Sequence, residues 1–502
     1  MIGRLVLSNR NIYKIKIGNK QISARICNIL SKSNDDILVK TSKEFNLKDA
    51  YIILNPQTNT IIESLGFVGN ESDDLNIYYH LFTNGWMSNS KYSKLWESYL
   101  SNNDSSQLKR IDYTKQVITI DPNGSIDLDD GFSFDSDDSY YYLDIHIADV
   151  VSWFNFSNPL FIPIFNELKN RLQTCYITQT NQSSPNHLLP RQIVELISLL
   201  EIKPNSNIKF RKAVSFCFKI SKQTKLVETF DLKFTNLSNI TNYSYENYDE
   251  YLNSNLETKK EHVKLSNDLI DIIGYKSNLI SIDMDISHKM IEIFMILTNW
   301  YGGNYLLNTM KSKPILRVQN SNDMGNDFDI KIVPKYARPF LSTSANYIIP
   351  NSNISEYLHY SLEISNYAHL SSPMRRFIDI VNHMVVYKID YDNYLNQNDL
   401  KLINQIIKFQ KKITNGYDLI KFIKINKISN KFKACLFDWV QNNRIIGLLV
   451  LYQPEYKFVK MVNVEIPSIN IELKKYMEFD VELYYNSNNF ESTTFPFSIK
   501  II

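Results

Sequence analysis

The sequence predicts an α+β protein in which a mixed core is flanked at both ends by small OB-type β-barrels. Three observations predict it. Short strand-like runs, broken by polar turns, fill roughly the first 70 and the last 70 residues. Long helical patterns alternate with buried strands between them. A chain of 502 residues is too long for one hydrophobic core, so two to four domains are expected. Hydrophobic content of 44% against 22% charged residues describes an ordinary globular composition. The net charge of +2 neither favours nor excludes a polyanionic partner.

In chain order, residues 1–70 offer five strands: Arg4–Leu7, Ile12–Ile17, Ile22–Ile29, Ile37–Lys40 and Ala50–Leu54. That number at that spacing suits an OB-type barrel. Tyr13 and Tyr51 could stack on bases there, but a core position is the favoured reading. Residues 71–115 read as a helical connector with Tyr78, Leu81, Phe82 and Trp86 on one face. Gln116–Ile120 and Gly131–Phe134 then read as strands around an acidic stretch, and Asp135–Asp138 as a polar hairpin tip. Tyr140–Val150 alternates and then runs apolar, as a buried strand returning beside the acids would; His146 and Asp149 on it read as structural hydrogen-bonding groups. A helix over Gln192–Leu200, a strand from Lys212 and a polar helix beginning near Tyr245 follow.

Ser287–Leu307 is a strong helix with Ser287 as its N-cap, and Glu292 and Asn299, seven apart, share a stripe on it. Residues 401–433 are helical in pattern and carry nine lysines against one acid, Asp418. This is either a solvated face or a surface that tracks phosphates. Strands return from Phe432 in a second barrel pattern. The four cysteines, Cys27, Cys175, Cys217 and Cys435, form no Cys-x-x-Cys pair, so neither a zinc site nor a disulfide framework is expected. No signal-peptide pattern or long apolar run points to secretion or a membrane, and a cytoplasmic setting is expected.

The chemistry centres on Thr119–Phe132, which places Asp121, Asp127, Asp129 and Asp130 within ten residues. Carboxylates this close repel one another and raise each other's pKa unless a cation sits among them. Flanking strands would hold them in place, and Mg²⁺, or Mn²⁺ in its stead, suits a few carboxylates with waters and phosphate oxygens completing the shell. A calcium loop counted from Asp121 fails, because its sixth and twelfth positions hold Ile126 and Phe132 where Gly and Glu are needed. A solvated acidic turn is the competing reading.

The second chemical stretch is Tyr367–His383, containing Ser-Ser-Pro-Met-Arg-Arg. Ser372 and Pro373 look like the N-cap and first residue of a helix, which puts Arg375 and Arg376 in its first turn. Cations there oppose the helix dipole unless an anion such as phosphate docks on the helix end. An ion pair from Arg375 to Asp379 is the alternative.

Four stretches in this order carry a resemblance to the ribonuclease II / ribonuclease R (RNB) exoribonucleases. They are Ile120–Asp130, Asp144–Val150, His288–Asn299 and Tyr367–Asp379. The resemblance implies an RNB core at 116–430 that threads single-stranded RNA to a buried site. It also implies an OB/cold-shock-like barrel at 1–70, a connecting segment at 71–115 and an RNA-binding OB-type barrel at 431–502. It implies metal binding by Asp121, Asp127, Asp129 and Asp130, with Asp129 acting on the attacking water. Arg375 would act on the scissile phosphate, and Tyr176, Tyr245, Glu292 and Arg376 would contact RNA. The activity implied is metal-dependent 3′-to-5′ hydrolysis to nucleoside 5′-monophosphates. The rival is an RNA-binding relative that keeps the fold without the chemistry. Two positions depart from the family pattern: Ile293 follows Glu292 where a second Glu is usual, and Gln319 stands for the usual His after Arg317.

Overall fold

The computed structural model describes the chain apart from residues 8–12, 18–19, 31–35, 42–47, 102–107, 180–183, 274–284, 320–329, 352–356, 427–429, 442–443, 468–471 and 486–496. Six N-terminal strands form one sheet: β1 (Ile2–Leu5), β2 (Tyr13–Ile17), β3 (Lys20–Ile29), β4 (Asp36–Lys40), β5 (Ala50–Asn55) and β6 (Thr60–Phe67). Pairing runs from β1 through β5, β6, β4 and β3 back to β1, with β2 on the free edge of β3. Leu5, Cys27, Val39, Ala50, Ile52 and Leu54 fill the interior. β6 is a strand the sequence pattern did not give, because its residues are mostly exposed or half-buried and so show no apolar alternation. Tyr51 belongs to the core: it is fully buried and its hydroxyl donates to Asp74 at 2.8 Å.

The connector folds as α1 (Glu71–Phe82) and α2 (Asn89–Ser101). Asn70 caps α1 by accepting from the amides of Ser72 and Asp73. Trp86 lies just beyond α1, packed edge-on against Phe82.

The core is built on a seven-stranded sheet. Its strands are β7 (Ile111–Tyr113), β8 (Val117–Asp121), β9 (Asp130–Ser136), β10 (Tyr140–Ala148), β11 (Arg211–Ser221), β12 (Val227–Leu237) and β13 (Ile240–Ser244). Their order is β13-β8-β9-β10-β11-β12-β7. The β9–β10 turn is the expected polar tip, where the Asp137 carboxylate accepts from the amides of Ser139 and Tyr140. His146 and Asp149 are structural, as read. The His146 ring lies between the hydroxyls of Ser215 (2.7 Å) and Ser133 (3.3 Å), and Asp149 pairs with Arg110 and Tyr387.

Helices α3 (Phe161–Arg171), α4 (Arg191–Ile197), α5 (Tyr245–Ser254), α6 (Leu256–Ile273) and α7 (Ile286–Thr309) pack around this sheet. Helix α7 begins at Ile286 with Asp285 at the cap position, so Ser287 is not its N-cap. Ser287 is buried inside the first turn, and its hydroxyl donates to Asp249 at 2.8 Å. Short strands β14 (Leu316–Val318), β15 (Asn346–Ile348), β16 (Leu358–His359) and β17 (Ile364–Ser365) lead to α8 (Phe377–Val386) and the long α9 (Gln397–Asn426).

The chain ends in a closed barrel of β18 (Lys431–Gln441), β19 (Ile445–Gln453), β20 (Phe458–Ile466), β21 (Glu478–Tyr485) and β22 (Phe497–Ile501), ordered β18-β19-β20-β22-β21. β22 was not anticipated from the sequence. One apolar cluster links Tyr78 and Phe82 of α1, Ile413 and Ile420 of α9, and Phe432 and Val462 of the barrel. α9 is therefore a structural beam with a lysine-rich outside, not a solvated helix throughout. All four cysteines are free thiols. Among the described residues no helix is long and apolar enough to cross a membrane.

Candidate active site

Two strand ends and the loop between them carry the four aspartates. Asp121 closes β8 and Asp130 opens β9, so backbone pairing fixes both. The loop holding Asp127 and Asp129 is pinned on each side. The Leu128 amide donates to Ser198 Oγ at 3.0 Å, and the Ala148 amide donates to the Asp129 carbonyl at 2.8 Å. Strand β13 runs parallel to β8 with Ser244 opposite Asp121. That places Tyr245, at the start of α5, beside the cluster.

The Arg375 segment is held against the acids by its own backbone. The Arg375 carbonyl accepts from the Thr174 amide at 3.1 Å, and Gln173 and Arg376 form an isolated antiparallel bridge. The Met374 amide donates to Asp129 Oδ1 at 2.7 Å, and Arg375 Nε lies 3.3 Å from Asp129 Oδ2. This last contact is an ion pair without hydrogen-bond alignment, so the buried Asp129 Oδ2 has no hydrogen-bond partner. Asp121 Oδ2 is likewise buried and unpartnered. Asp127 faces Tyr176, whose hydroxyl donates to it at 3.3 Å, and His187, whose Nδ1 lies 3.4 Å away.

Burial drives the electrostatics. Desolvation, then Asp130 and Asp127, push Asp121 up to about 8, against an opposing pull from Arg375. Burial pushes Asp130 up to about 6, opposed by Arg375 and Arg376, and holds Asp129 well above the usual carboxylate range. Burial also works against the charge on Arg375, but Asp129, Tyr176 and Asp130 override it and raise its pKa. The Arg375 side chain is 43% exposed and lines a cavity.

That cavity, about 650 Å³, runs away from the acids. Tyr176, Glu292, Asn299, Arg375 and Arg376 line it, as do Arg317 and Lys411. Burial raises the Glu292 carboxyl. Asn299 fastens α7 to the arginine segment: its amide nitrogen donates to the Tyr367 hydroxyl at 3.0 Å and its oxygen accepts from the Leu370 amide at 2.8 Å. Tyr245 is stacked on His288 with ring centroids 3.7 Å apart.

Two expectations need correction. α8 starts at Phe377, not at Pro373, so Arg375 and Arg376 precede the helix. The acidic residue in the first turn of α8 is Asp379, which accepts from the Ser372 amide at 2.7 Å. The pair with Asp379 is made by Arg376, at 2.8 Å, and leaves Arg375 to the aspartate cluster. Further, among the described residues no three Asp, Glu, His or Cys side chains converge closely enough to enclose a cation alone. The orphaned oxygens of Asp121 and Asp129 fit an oxygen-seeking cation that keeps waters or phosphate oxygens in its shell.

A family model described as the RNB domain matches residues 110–279 and 259–391. The chain belongs to the RNB family. Over 330 residues it is 24% identical to mitochondrial exoribonuclease II of Saccharomyces cerevisiae, a match that takes in 54% of this chain and a third (33%) of that protein's length. Its fold superposes on Mycoplasma genitalium RNase R in complex with ribose-methylated single-stranded RNA, with a TM-score of 0.65 and 14% identity over 100% of this chain and 89% of the other. It also superposes on yeast Ssd1, described as a pseudonuclease, with a TM-score of 0.59 and 15% identity over 97% of this chain and 67% of the other. The RNB fold thus carries both nucleases and a relative described as lacking that activity.

His187, Arg317, His288 and Lys411 were missed as site neighbours. Each lies far in sequence from the aspartates; His288 and Arg317 fell in stretches compared with the family pattern and Lys411 in the lysine-rich helix, but none was individually assigned to the site.

Proposed function

We propose that this chain is a metal-dependent 3′-to-5′ exoribonuclease that hydrolyses single-stranded RNA to nucleoside 5′-monophosphates. The observation that carries the reading is the Arg375–Asp129 ion pair. It sets a charged guanidinium beside a buried carboxylate cluster at one end of an open cavity. Asp121, Asp127, Asp129 and Asp130 would hold Mg²⁺, or Mn²⁺ in its place. When bound, such ions polarise a phosphodiester and activate water.

The chain's own groups divide the remaining work. Asp129, fixed by the Met374 amide, orients the attacking water and takes its proton. Arg375 donates to the non-bridging phosphate oxygens as their charge grows, in a site where little water screens the interaction. Tyr176, beside Asp127, and Tyr245, near Asp130 and Asp121, contact the terminal nucleotides, and Glu292 and Arg376 meet the strand along the cavity. The barrels at 1–70 and 431–502 would grip RNA outside the 116–430 core, with 71–115 as the joint. The cytoplasmic setting expected from the cysteines stands beside the word mitochondrial in the yeast relative's name, and fractionation separates the two.

One observation favours a second reading, an inert RNA-binding relative: the same fold is found in the pseudonuclease Ssd1. Incubating 5′-labelled single-stranded RNA with the chain, with and without EDTA, decides between them. A ladder that shortens from the 3′ end only without EDTA supports exonucleolysis. Intact RNA that is nevertheless shifted on a native gel supports the inert binder.

A further inference from the structure

The cavity has a second cationic wall that the chemistry above does not use. Helix α9 presents Ile407, Lys411, Thr414 and Asn415 to it, at the spacing of one helical face. Helix α7 presents Glu292, Met295, Ile296 and Asn299 to the same space. Among the described residues, four cations line the cavity, Arg317, Arg375, Arg376 and Lys411, against one carboxylate, Glu292.

Three of the four have a partner. Arg375 is paired with Asp129 and Arg376 with Asp379, and the Arg317 guanidinium lies over the Tyr347 ring at 5.2 Å. Lys411 has no hydrogen bond, ion pair or ring contact among the described residues. Its charged neighbours are Arg317 and Lys460, both cations, and Lys460 is itself taken by Asp418 at 2.7 Å. Enclosure first, and these two cations second, push the Lys411 ammonium down to about 8. The Lys411 side chain is open to the cavity, so an entering anion can reach it and offset the repulsion from the two neighbouring cations.

We propose that Lys411 holds a second backbone phosphate of the RNA, distinct from the phosphate being cleaved at Arg375. The inference rests on the cavity being the route of the strand. It adds a subsite on the α9 wall, so that the strand is held between two cationic poles, one on each side of the cavity. Lysine suits this task because a point charge holds a phosphate without fixing its orientation, and the strand must advance after each cleavage. The contact is to the backbone, so it carries no preference for base sequence.

The test is binding by the full chain in EDTA, where no hydrolysis occurs. Anisotropy of a short 5′-fluorescein oligouridine is titrated over a range of NaCl concentrations. Lys411→Gln should weaken binding several-fold and reduce the log–log salt slope by about 0.7, the counterion share of one phosphate contact on a single strand. Lys411→Arg should keep the wild-type slope. Lys401→Gln, on the same helix but outside the cavity, should change nothing. Single-turnover cleavage at saturating RNA should likewise be equal in wild type and Lys401→Gln. Wild-type binding with an unchanged slope in Lys411→Gln would overturn the subsite while leaving the exonuclease reading intact. Failure of the wild type to bind RNA at all would overturn both.

Discussion

Asp129 is held from two directions, by the Met374 amide on one oxygen and by the Arg375 guanidinium near the other. Replacing it with Asn keeps the acceptor for Met374 and removes the charge. Asp129→Asn should therefore abolish hydrolysis of single-stranded RNA in Mg²⁺ while leaving affinity nearly unchanged; persistent turnover in that variant would remove the role given to the residue. Arg375→Ala should slow the chemical step by about 10²- to 10³-fold, the scale of losing one transition-state donor. A change in affinity alone would make it a strand-positioning group. The same cluster sets a pH dependence. Asp121 and Asp130 sit at about 8 and about 6 in the fold, against an ordinary value of 3.8. The folded state binds more protons than the unfolded chain in that window, so stability falls as pH rises from about 4 to about 8 and levels off above. Melting in EDTA should show that decline, with a shallower slope in Asp121→Asn; a melting temperature that climbs across the window would contradict the desolvated cluster. At this scale the sequence was informative where residues are contiguous. Four aspartates in ten residues mark the stretch as the chemical candidate, and the fold buries Asp129 and Asp130 among them. His187 against Asp127 and Lys411 in the cavity depend on folds of the chain that local spacing does not encode.

At the scale of elements, strong periodicity was legible and termini were not. The helices over 71–101, 286–309 and 397–426 and the strands around the aspartates follow from apolar spacing. The start of α8 did not, because Ser-Pro is a general helix-start signal that tertiary contacts overrode. Asp379 reaches back to the Ser372 amide and Arg376, and so turns residues 372–376 into a loop that aims Arg375 away from α8. Asp379 is fully buried, and its removal would strand both the amide and the guanidinium. Asp379→Ala should cost about 3 kcal/mol in chemical denaturation, the low end for breaking a buried pair, since Arg376 keeps some access to solvent. It should also lower turnover, because the loop that carries Arg375 loses its anchor. Destabilisation with unchanged turnover would show that the Thr174 and Met374 contacts orient Arg375 unaided. The α7 seam is equally specific. A Cβ on Gly303 would lie 2.2 Å from the Asn366 carbonyl, so only glycine lets α7 approach the segment that leads to the arginines.

For the whole molecule, the barrel–core–barrel layout could be read from where strand patterns cluster, but the joints between the parts could not. They are made by residues hundreds of positions apart, such as Glu71 with Lys424 and Arg110 with Tyr387, both between the connector and the core. The C-terminal barrel is fastened to α9 by three contacts of different kinds. The Asn415 side chain donates to the Met461 carbonyl at 2.8 Å, Lys460 pairs with Asp418, and Phe422 stacks on Phe458 with centroids 3.8 Å apart and planes 6° apart. Phe422 is not among the residues that line the cavity. Phe422→Ala should remove about 1 kcal/mol of aromatic contact beyond the lost buried area and loosen the barrel without touching the aspartates. If the barrel grips RNA outside the core, affinity for long RNA should drop while the cleavage rate of an oligonucleotide short enough to occupy only the cavity stays at the wild-type value. Parallel anisotropy and single-turnover measurements on the two substrates separate these effects. Equal losses on both would mean that the barrel braces α9, and through it the cavity wall, and does not act as a separate grip on the strand.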